Sequence, residues 1–216
     1  MNRRVIHVFS ITLSHVIFIF GLKQLIMAES YFENENYQGL DFRKEKLPIG
    51  EYELCSFKNC VFSDTDLTGV SFAECEFINC DLSNAFGKDI IMREVKFINC
   101  KLLGFRFDQC NPFLVSFSFE DCSLNFTSFY RLKIKETKFL NCSMQQADLS
   151  EADLSNSIFN NCDLQFATFQ NTTLIGANFL SARNFIIDPQ ENILKGARFS
   201  RENLAGLLSR HQLIIV

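Results

Sequence analysis

Apolar side chains recur at every fifth position over most of this chain. We call these apolar positions centres, and one run of them reads Phe57, Phe62, Leu67, Phe72, Phe77 and Leu82. Small or slim side chains stand two residues before many centres, at Thr65, Ala85, Ala147, Ala152, Ala167 and Ala177. A period of five matches neither the 3.6 of a helix nor the 2 of a flat strand. It is typical of a solenoid whose chain turns a corner every five residues.

One aromatic register runs through the same region at a longer period. Steps of 20 residues, with a single step of 22 between Phe97 and Phe119, connect Tyr37, Phe57, Phe77, Phe97, Phe119, Phe139, Phe159, Phe179 and Phe199. Four sides of five residues therefore close one square coil. Coils are expected to stack at the strand spacing of about 4.8 Å. The centre and the residue two before it face inward, and the other three residues face outward.

The fragments "ADLSEADLSNS" and "GANFLSA" show the five-residue unit most plainly. This pattern resembles the A(D/N)LXX motif of the pentapeptide repeat family, over about residues 37–204. The resemblance implies an all-β fold, a right-handed quadrilateral β-helix. We expect the solenoid with its N-terminal cap to occupy residues 27–200, and residues 201–216 to form a C-terminal helix and strand.

Two stretches depart from the repeat. The two extra residues fall between Phe107 and Leu114, in "DQCNPFL", where Pro112 cannot donate to a ladder and favours a bulge. The segment "GKDIIMRE" is also off-pattern, with Gly87 and Met92 at centre positions. Both are expected to be irregular patches of wall.

Residues 1–26 form a separate hydrophobic leader or extension. Arg3 and Arg4 precede an apolar run over residues 5–22. Three interpretations fit: a signal peptide, a single membrane anchor of about 18 residues, or an upstream extension of a chain whose synthesis starts at Met27. The extension is favoured and predicts a cytoplasmic protein. The other two predict a protein that is anchored in a membrane or exported.

All nine cysteines stand two residues before an actual or expected centre. Six of them form one column: Cys60, Cys80, Cys100, Cys122, Cys142 and Cys162. Zinc needs ligands around a point, whereas a column offers them along a line. Parallel Cβ vectors fit a disulfide poorly. Packing is therefore the favoured interpretation, which predicts buried, reduced thiols without a metal or cofactor.

A corner column of Asn59, Asn79, Asn99, Asp121, Asn141 and Asn161 runs beside the cysteines. Asn and Asp tolerate turn dihedrals and form hydrogen bonds with nearby backbone. These side chains can also bond to one another along the rod. The column therefore predicts structure rather than chemistry.

The C-terminal segment predicts a cap. Ser200 is positioned to cap a short helix through about Arg210, followed by the apolar tail "QLIIV". This ending resembles that of the quinolone-resistance and microcin-immunity pentapeptide proteins, which dimerise through their C-termini. The resemblance implies a homodimer, with contacts expected at Leu204, Leu207, Leu208, Ile214 and Ile215.

The sequence contains no phosphate loop, GxSxG or HExxH motif, which argues against an enzyme. Three of the 21 basic residues and none of the 25 acidic ones lie in residues 1–26, which leaves a net charge of −7 for the rest. An acidic body argues against direct binding of nucleic acid.

Two functions remain. The resemblance implies a DNA mimic that binds DNA gyrase or another topoisomerase and protects it from inhibitors, with Asp148, Glu151 and Asp153 as candidate partner-binding acids. The alternative is an interaction scaffold for an unknown protein partner. Lysines interrupt the acidic surface, and the sequence does not choose between the two functions.

Overall fold

The computed structural model describes residues 30–113, 115–211 and residue 213. The predicted leader at residues 1–26 and the predicted contacts Ile214 and Ile215 lie outside the described residues. None of the helices in these ranges has the length and hydrophobicity of a membrane-spanning segment.

The chain forms a parallel β-solenoid of about eight coils. The strands are β1 (Ser30–Glu33), β2 (Asn36–Gln38), β3 (Gly50–Glu53), β4 (Ser56–Lys58), β5 (Ser71–Ala73), β6 (Glu76–Ile78), β7 (Ile91–Ile98), β8 (Val115–Glu120), β9 (Lys138–Leu140), β10 (Ile158–Asn160), β11 (Asn178–Phe179) and β12 (Arg198–Phe199). On one side, β1, β3, β5 and the beginning of β7 pair in parallel. On the next side, β2, β4, β6, the ends of β7 and β8, and then β9, β10, β11 and β12 pair in that order. The remaining sides join neighbouring coils by single-residue bridges, such as Ser128 with Asp148 and Asp148 with Thr168. The predicted quadrilateral β-helix is confirmed.

The corners are made by a left-handed backbone conformation two residues after a centre. Asn59, two after Phe57, has φ +54°, and its neighbours in the next coils, Asn79 and Asn99, have φ +55° and +51°. Asn, Asp and Gly supply most of these residues, because they adopt a positive φ at the lowest cost. The corner explains the period of five: the chain changes direction once in each unit.

Aromatic rings stack along the interior of the rod. The register that runs from Tyr37 to Phe199 places consecutive rings 4.6–5.3 Å apart and within 18° of parallel. Phe97 and Phe119, which are 22 residues apart, are partners in this stack. The predicted aromatic register is therefore confirmed across the irregular step.

The nine cysteines are free thiols and are buried, as predicted. The Sγ of Cys80 lies 3.3 Å from the carbonyl oxygen of Phe57 and 3.4 Å from that of Ile78, and its single S–H can donate to either. In turn it accepts the backbone N–H of Cys60 at 3.4 Å. The other thiols of this column likewise lie within hydrogen-bond distance of backbone carbonyl oxygens inside the lumen.

The extra residues lie where the sequence predicts them, and a second adjustment compensates for them. Partners are 23 residues apart at Met92 and Val115 but 22 apart at Val95 and Phe117. A bulge between Met92 and Val95 therefore absorbs one residue of the insertion at 110–114. Gly87, the off-pattern centre, leaves space that Ile90 fills, because a Cβ there would lie 2.8 Å from the Ile90 Cδ1 atom.

The C-terminal cap consists of three short helical pieces rather than one helix. Two 3₁₀ turns, Arg201–Asn203 and Ser209–His211, flank α1 (Ala205–Leu208). Gly206 lies against Phe185 so closely that a Cβ would meet the Phe185 carbonyl oxygen. The predicted cap by Ser200 is wrong: its backbone is extended, as a cap requires, but its side chain makes no capping hydrogen bond with the described helix.

We predict that Phe139→Ala lowers the free energy of unfolding by about 3–5 kcal/mol, because it removes a buried ring from the middle of the stack. Lys138→Ala, at the adjacent exposed position, is the matched control and should change stability by less than about 0.5 kcal/mol. Urea denaturation measures both. Equal effects of the two substitutions would contradict the stacked lumen.

We also predict that the thiols react only after unfolding. Burial raises the pKa of Cys75 and of Cys110 to about 12, and the thiolate is the reactive form. Ellman's reagent should modify the native protein slowly and should titrate all nine cysteines in guanidinium chloride. Rapid reaction of several thiols in the native protein would show that the lumen is open.

Candidate protein-binding surfaces

The surface of the rod is organised in columns. Residues 20 positions apart stack on neighbouring coils, as shown by Ile158 opposite Lys138 and Phe159 opposite Phe139. Outward side chains of one column are therefore separated by about 4.8 Å along the rod. Charged residues that are 20 positions apart in the sequence, or 22 across the insertion, are therefore neighbours on the surface.

The three predicted acids lie on one coil and do not form a column. Asp148 is in register with Ser128 and Thr168, on a different side of the coil from Asp153, which is in register with Lys133 and Thr173. Glu151 occupies the corner between them, with φ +58°. The structure therefore spreads these carboxylates around the rod rather than along it.

Glu151 is engaged by its own column neighbour. The Arg131 guanidinium donates to Glu151 at 2.6 Å, and the Tyr130 hydroxyl donates to the same carboxylate at 3.0 Å. These hydrogen bonds hold the pKa of Glu151 below its usual range. The Arg131 guanidinium also lies over the Tyr130 ring, 4.7 Å from its centroid. A partner would have to compete with these contacts for Glu151.

Asp153 is also paired within the fold. Lys135 Nζ lies 3.2 Å from its carboxylate, and Ser155 donates through its hydroxyl at 2.6 Å. Burial pushes the pKa of Asp153 upward, but the hydrogen bonds from Ser155 and the Lys135 ammonium outweigh this, so the pKa lies below its usual range. Asp148 accepts the backbone N–H of Ser150 and has no ion-pair partner within 4.0 Å among the described residues.

A denser group of carboxylates lies near the N-terminal end. We call it the acidic edge, and it comprises Glu51, Glu53, Glu74, Glu76 and Glu94. Glu74 and Glu94 stack on successive corners, because the backbone N–H of Glu74 bonds the carbonyl of Arg93 in the next coil. Two cations offset the five acids: Lys96, 2.9 Å from Glu76, and Arg93, 3.7 Å from Glu53. The edge keeps an excess of negative charge.

The pKa of Tyr31 reflects this excess of negative charge. Its hydroxyl donates to Glu53, and this bond, with burial and the nearby charges of Glu33 and Glu51, raises the pKa of Tyr31 to about 12. The acids predicted from the sequence, Asp148, Glu151 and Asp153, do not include this edge. Stepping outward positions by 20 would have found it.

The predicted amide column is a hydrogen-bonded ladder. Asn79 donates to Asn59 at 3.2 Å, Asn99 to Asn79 at 2.7 Å, and Asn161 to Asn141 at 3.1 Å. Asn141 donates to Asp121 at 3.0 Å, but the aspartate cannot donate onward to Asn99. The side chains of this corner therefore stabilise the stacked coils by hydrogen bonds to one another.

Of the predicted dimer contacts that the structure describes, one packs inward and two are exposed. Leu207 is half-buried and packs against the core of the last coil. Leu204 and Leu208 are 42% and 37% exposed. Part of the apolar face of the cap therefore packs against the core, and the other part is exposed at the end of the rod.

The interior offers little room for chemistry. Among the described residues, no group of three or more His, Cys, Asp or Glu side chains is placed to hold a metal ion. One groove on the outside of the rod is lined by Asn34, Ser56, Glu74, Glu76 and Glu94. The arrangement can present charge and apolar surface to another macromolecule.

Comparison with solved structures gives likenesses to the same architecture. A trypsin-treated variant of QnrB1, a plasmid-mediated fluoroquinolone resistance protein, aligns with a TM-score of 0.59 at 17% identity and covers 87% of this chain and 92% of that one. Full-length QnrB1 aligns with a TM-score of 0.51 at 16% identity, over 85% of this chain and 100% of the other. At these identities the likeness shows the fold alone. The sequence matches no curated protein in the comparison.

Two family models match adjacent segments of the sequence. The model described as pentapeptide repeat region matches residues 70–141, and the model described as pentapeptide repeats (8 copies) matches residues 142–179. Together they cover just over half of the chain, and the matched segments contain the stacked coils described above. The chain belongs to the pentapeptide repeat family.

Proposed function

We propose that this protein is a non-enzymatic rod that binds a type II topoisomerase such as DNA gyrase as a DNA mimic and protects it from inhibitors. The acidic edge is the observation that carries the proposal. It places carboxylates on three successive coils, and its stacked pair Glu74 and Glu94 has no ion-pair partner within 4.0 Å among the described residues. Regularly spaced negative charge is the feature by which a protein can imitate the phosphate backbone of DNA.

The family supports the same proposal. QnrB1, which shares the fold, is a fluoroquinolone resistance protein. The resemblance to the quinolone-resistance proteins implies DNA gyrase as the partner, and a surface that holds DNA is basic. A rigid acidic rod is complementary to such a surface in shape and charge.

The second candidate is a scaffold for a different protein partner. The internal pairing of Glu151 with Arg131 and of Asp153 with Lys135 favours it, because these acids are partly neutralised before any partner arrives. If the scaffold function is the correct one, gyrase will not bind even at low salt.

We predict that Glu74→Gln with Glu94→Gln weakens gyrase binding about three- to tenfold, since each exposed charge pair contributes up to about 1 kcal/mol. Asp148→Asn with Glu151→Gln and Asp153→Asn should weaken it less, because two of those acids are already paired. Binding should weaken as salt rises. Surface plasmon resonance at two salt concentrations measures affinity, and gyrase supercoiling with and without a fluoroquinolone measures protection.

The matched control is Glu191→Gln with Glu202→Gln, which removes the same charge at the C-terminal end. Equal losses in the control and in the acidic-edge variant would mean that net charge alone drives binding. Unchanged binding by the acidic-edge variant would remove the mimic proposal. Circular dichroism must show that all variants keep the fold.

We further propose that the protein forms a homodimer through Leu204, Leu207 and Leu208 of the cap, together with the predicted contacts Ile214 and Ile215, which lie outside the described residues. Leu208→Asp with Leu204→Asp should give a monomer in light scattering, because a charge on each exposed leucine cannot be buried in a symmetric contact. Leu180→Asp, an exposed leucine on the side of the rod, is the control. A dimer that persists in the double variant would place the contact elsewhere.

A further inference from the structure

Two corner positions carry phenylalanine where the fold prefers Asn, Asp or Gly. Phe126 and Phe166 have φ +62° and +59°, in the left-handed region that bulky side chains rarely adopt. Their side chains are 53% and 67% exposed. Neither ring is part of an aromatic pair among the described residues. Each position therefore combines backbone strain with exposure of a large apolar side chain.

The corner itself does not need these rings. The Phe126 backbone N–H bonds the Gln145 carbonyl at 2.9 Å, as the Gln146 N–H bonds that of Gln165 at 2.9 Å. The same bond forms whichever side chain is present. A bulky residue in the left-handed region strains the backbone, and such strain is typically found at functional sites. The rings have no evident role in folding, which indicates a role in contact with another molecule.

The two rings occupy one column, two coils apart, so their backbones are separated by about 9.6 Å. Two turns of an α-helix span about 10.5 Å, the distance between residues i and i+7. A helix lying along this corner can therefore place apolar side chains on both rings. A flat sheet edge would not match this spacing with its side-chain period of two residues.

The charge between the rings is negative. Asp148 lies on the coil between them, two residues after Gln146, which separates the two rings in the column. The nearby guanidinium groups are engaged in ion pairs: Arg106 with Asp108, Arg131 with Glu151 and Arg183 with Asp163. Asp148 has no such partner within 4.0 Å among the described residues. A cationic side chain would complement it.

We propose that Phe126, Phe166 and Asp148, here called the phenylalanine edge, bind a basic amphipathic helix of a partner protein. Apolar side chains seven residues apart cover the two rings, and a lysine or arginine between them pairs with Asp148. This corner is diagonally opposite the corner that carries the acidic edge. The inference therefore goes beyond the proposed topoisomerase binding and does not depend on it.

Stability tests the first half of the inference. Phe126→Asn with Phe166→Asn should raise the midpoint of thermal unfolding by about 2–4 °C for each kcal/mol of strain removed. Leu180→Asn, an exposed apolar residue without a positive φ, is the matched control and should not raise it. A lower midpoint in the double variant would show that the rings stabilise the fold, and would overturn the inference.

Peptide binding tests the second half. The probe is a fluorescein-labelled 14-residue helix with leucine at heptad core positions and lysine elsewhere, and its counterpart carries glutamate in place of lysine. Fluorescence anisotropy should show at least fivefold weaker binding of the lysine peptide to the double Phe variant and about threefold weaker binding to Asp148→Asn, with Leu180→Asn unchanged.

The glutamate peptide should not bind the native protein. The proposal is overturned if both peptides bind equally, or if the lysine peptide binds all of these variants equally. It is also overturned if only Glu74→Gln with Glu94→Gln weakens the binding, because the peptide would then be following the acidic edge. These results do not depend on whether gyrase binds.

Discussion

The left-handed corner is the constraint on which this molecule depends. One residue in five must adopt a positive φ, and the chain places Asn, Asp or Gly at most of these positions. Once the corner is fixed, the centre and the residue two before it can only face inward. The lumen then holds the two inward side chains of each five-residue unit, and the aromatic stack and the column of thiols follow.

This dependence explains how the rod tolerates an insertion. The extra residues at 110–114 lie between two sides, and the bulge after Met92 restores the pairing before Val95. The stack of Phe97 on Phe119 continues at 5.2 Å, within the range of the regular steps. The corner positions, not the length of each coil, therefore determine which residues lie inside.

The same dependence separates what the sequence predicts from what it does not. Inward positions follow one rule, so the register of Phe57 and the burial of Cys80 could be read from the period alone. The outward contacts follow a second rule, the stacking of residues 20 apart, which pairs Arg131 with Glu151. That contact could have been predicted from the repeat, whereas Lys135 with Asp153 depends on side-chain rotamers across the wall. The missing capping hydrogen bond of Ser200 could not be predicted either, because the helix that follows begins as a 3₁₀ turn at Arg201–Asn203.

Function in such a rod has to lie in its outward columns, because inward positions are committed to packing. Outward residues can change without affecting the lumen, so two proteins can share the coil geometry at 17% identity and present unrelated surfaces. Likeness of fold therefore says little about the partner. Residues that are unfavourable for the fold at their positions say more about the partner. An excess of carboxylates at one corner and two phenylalanines at the opposite corner each oppose folding slightly, through repulsion and through backbone strain. Since these choices oppose folding, these corners are where binding to other molecules is to be sought.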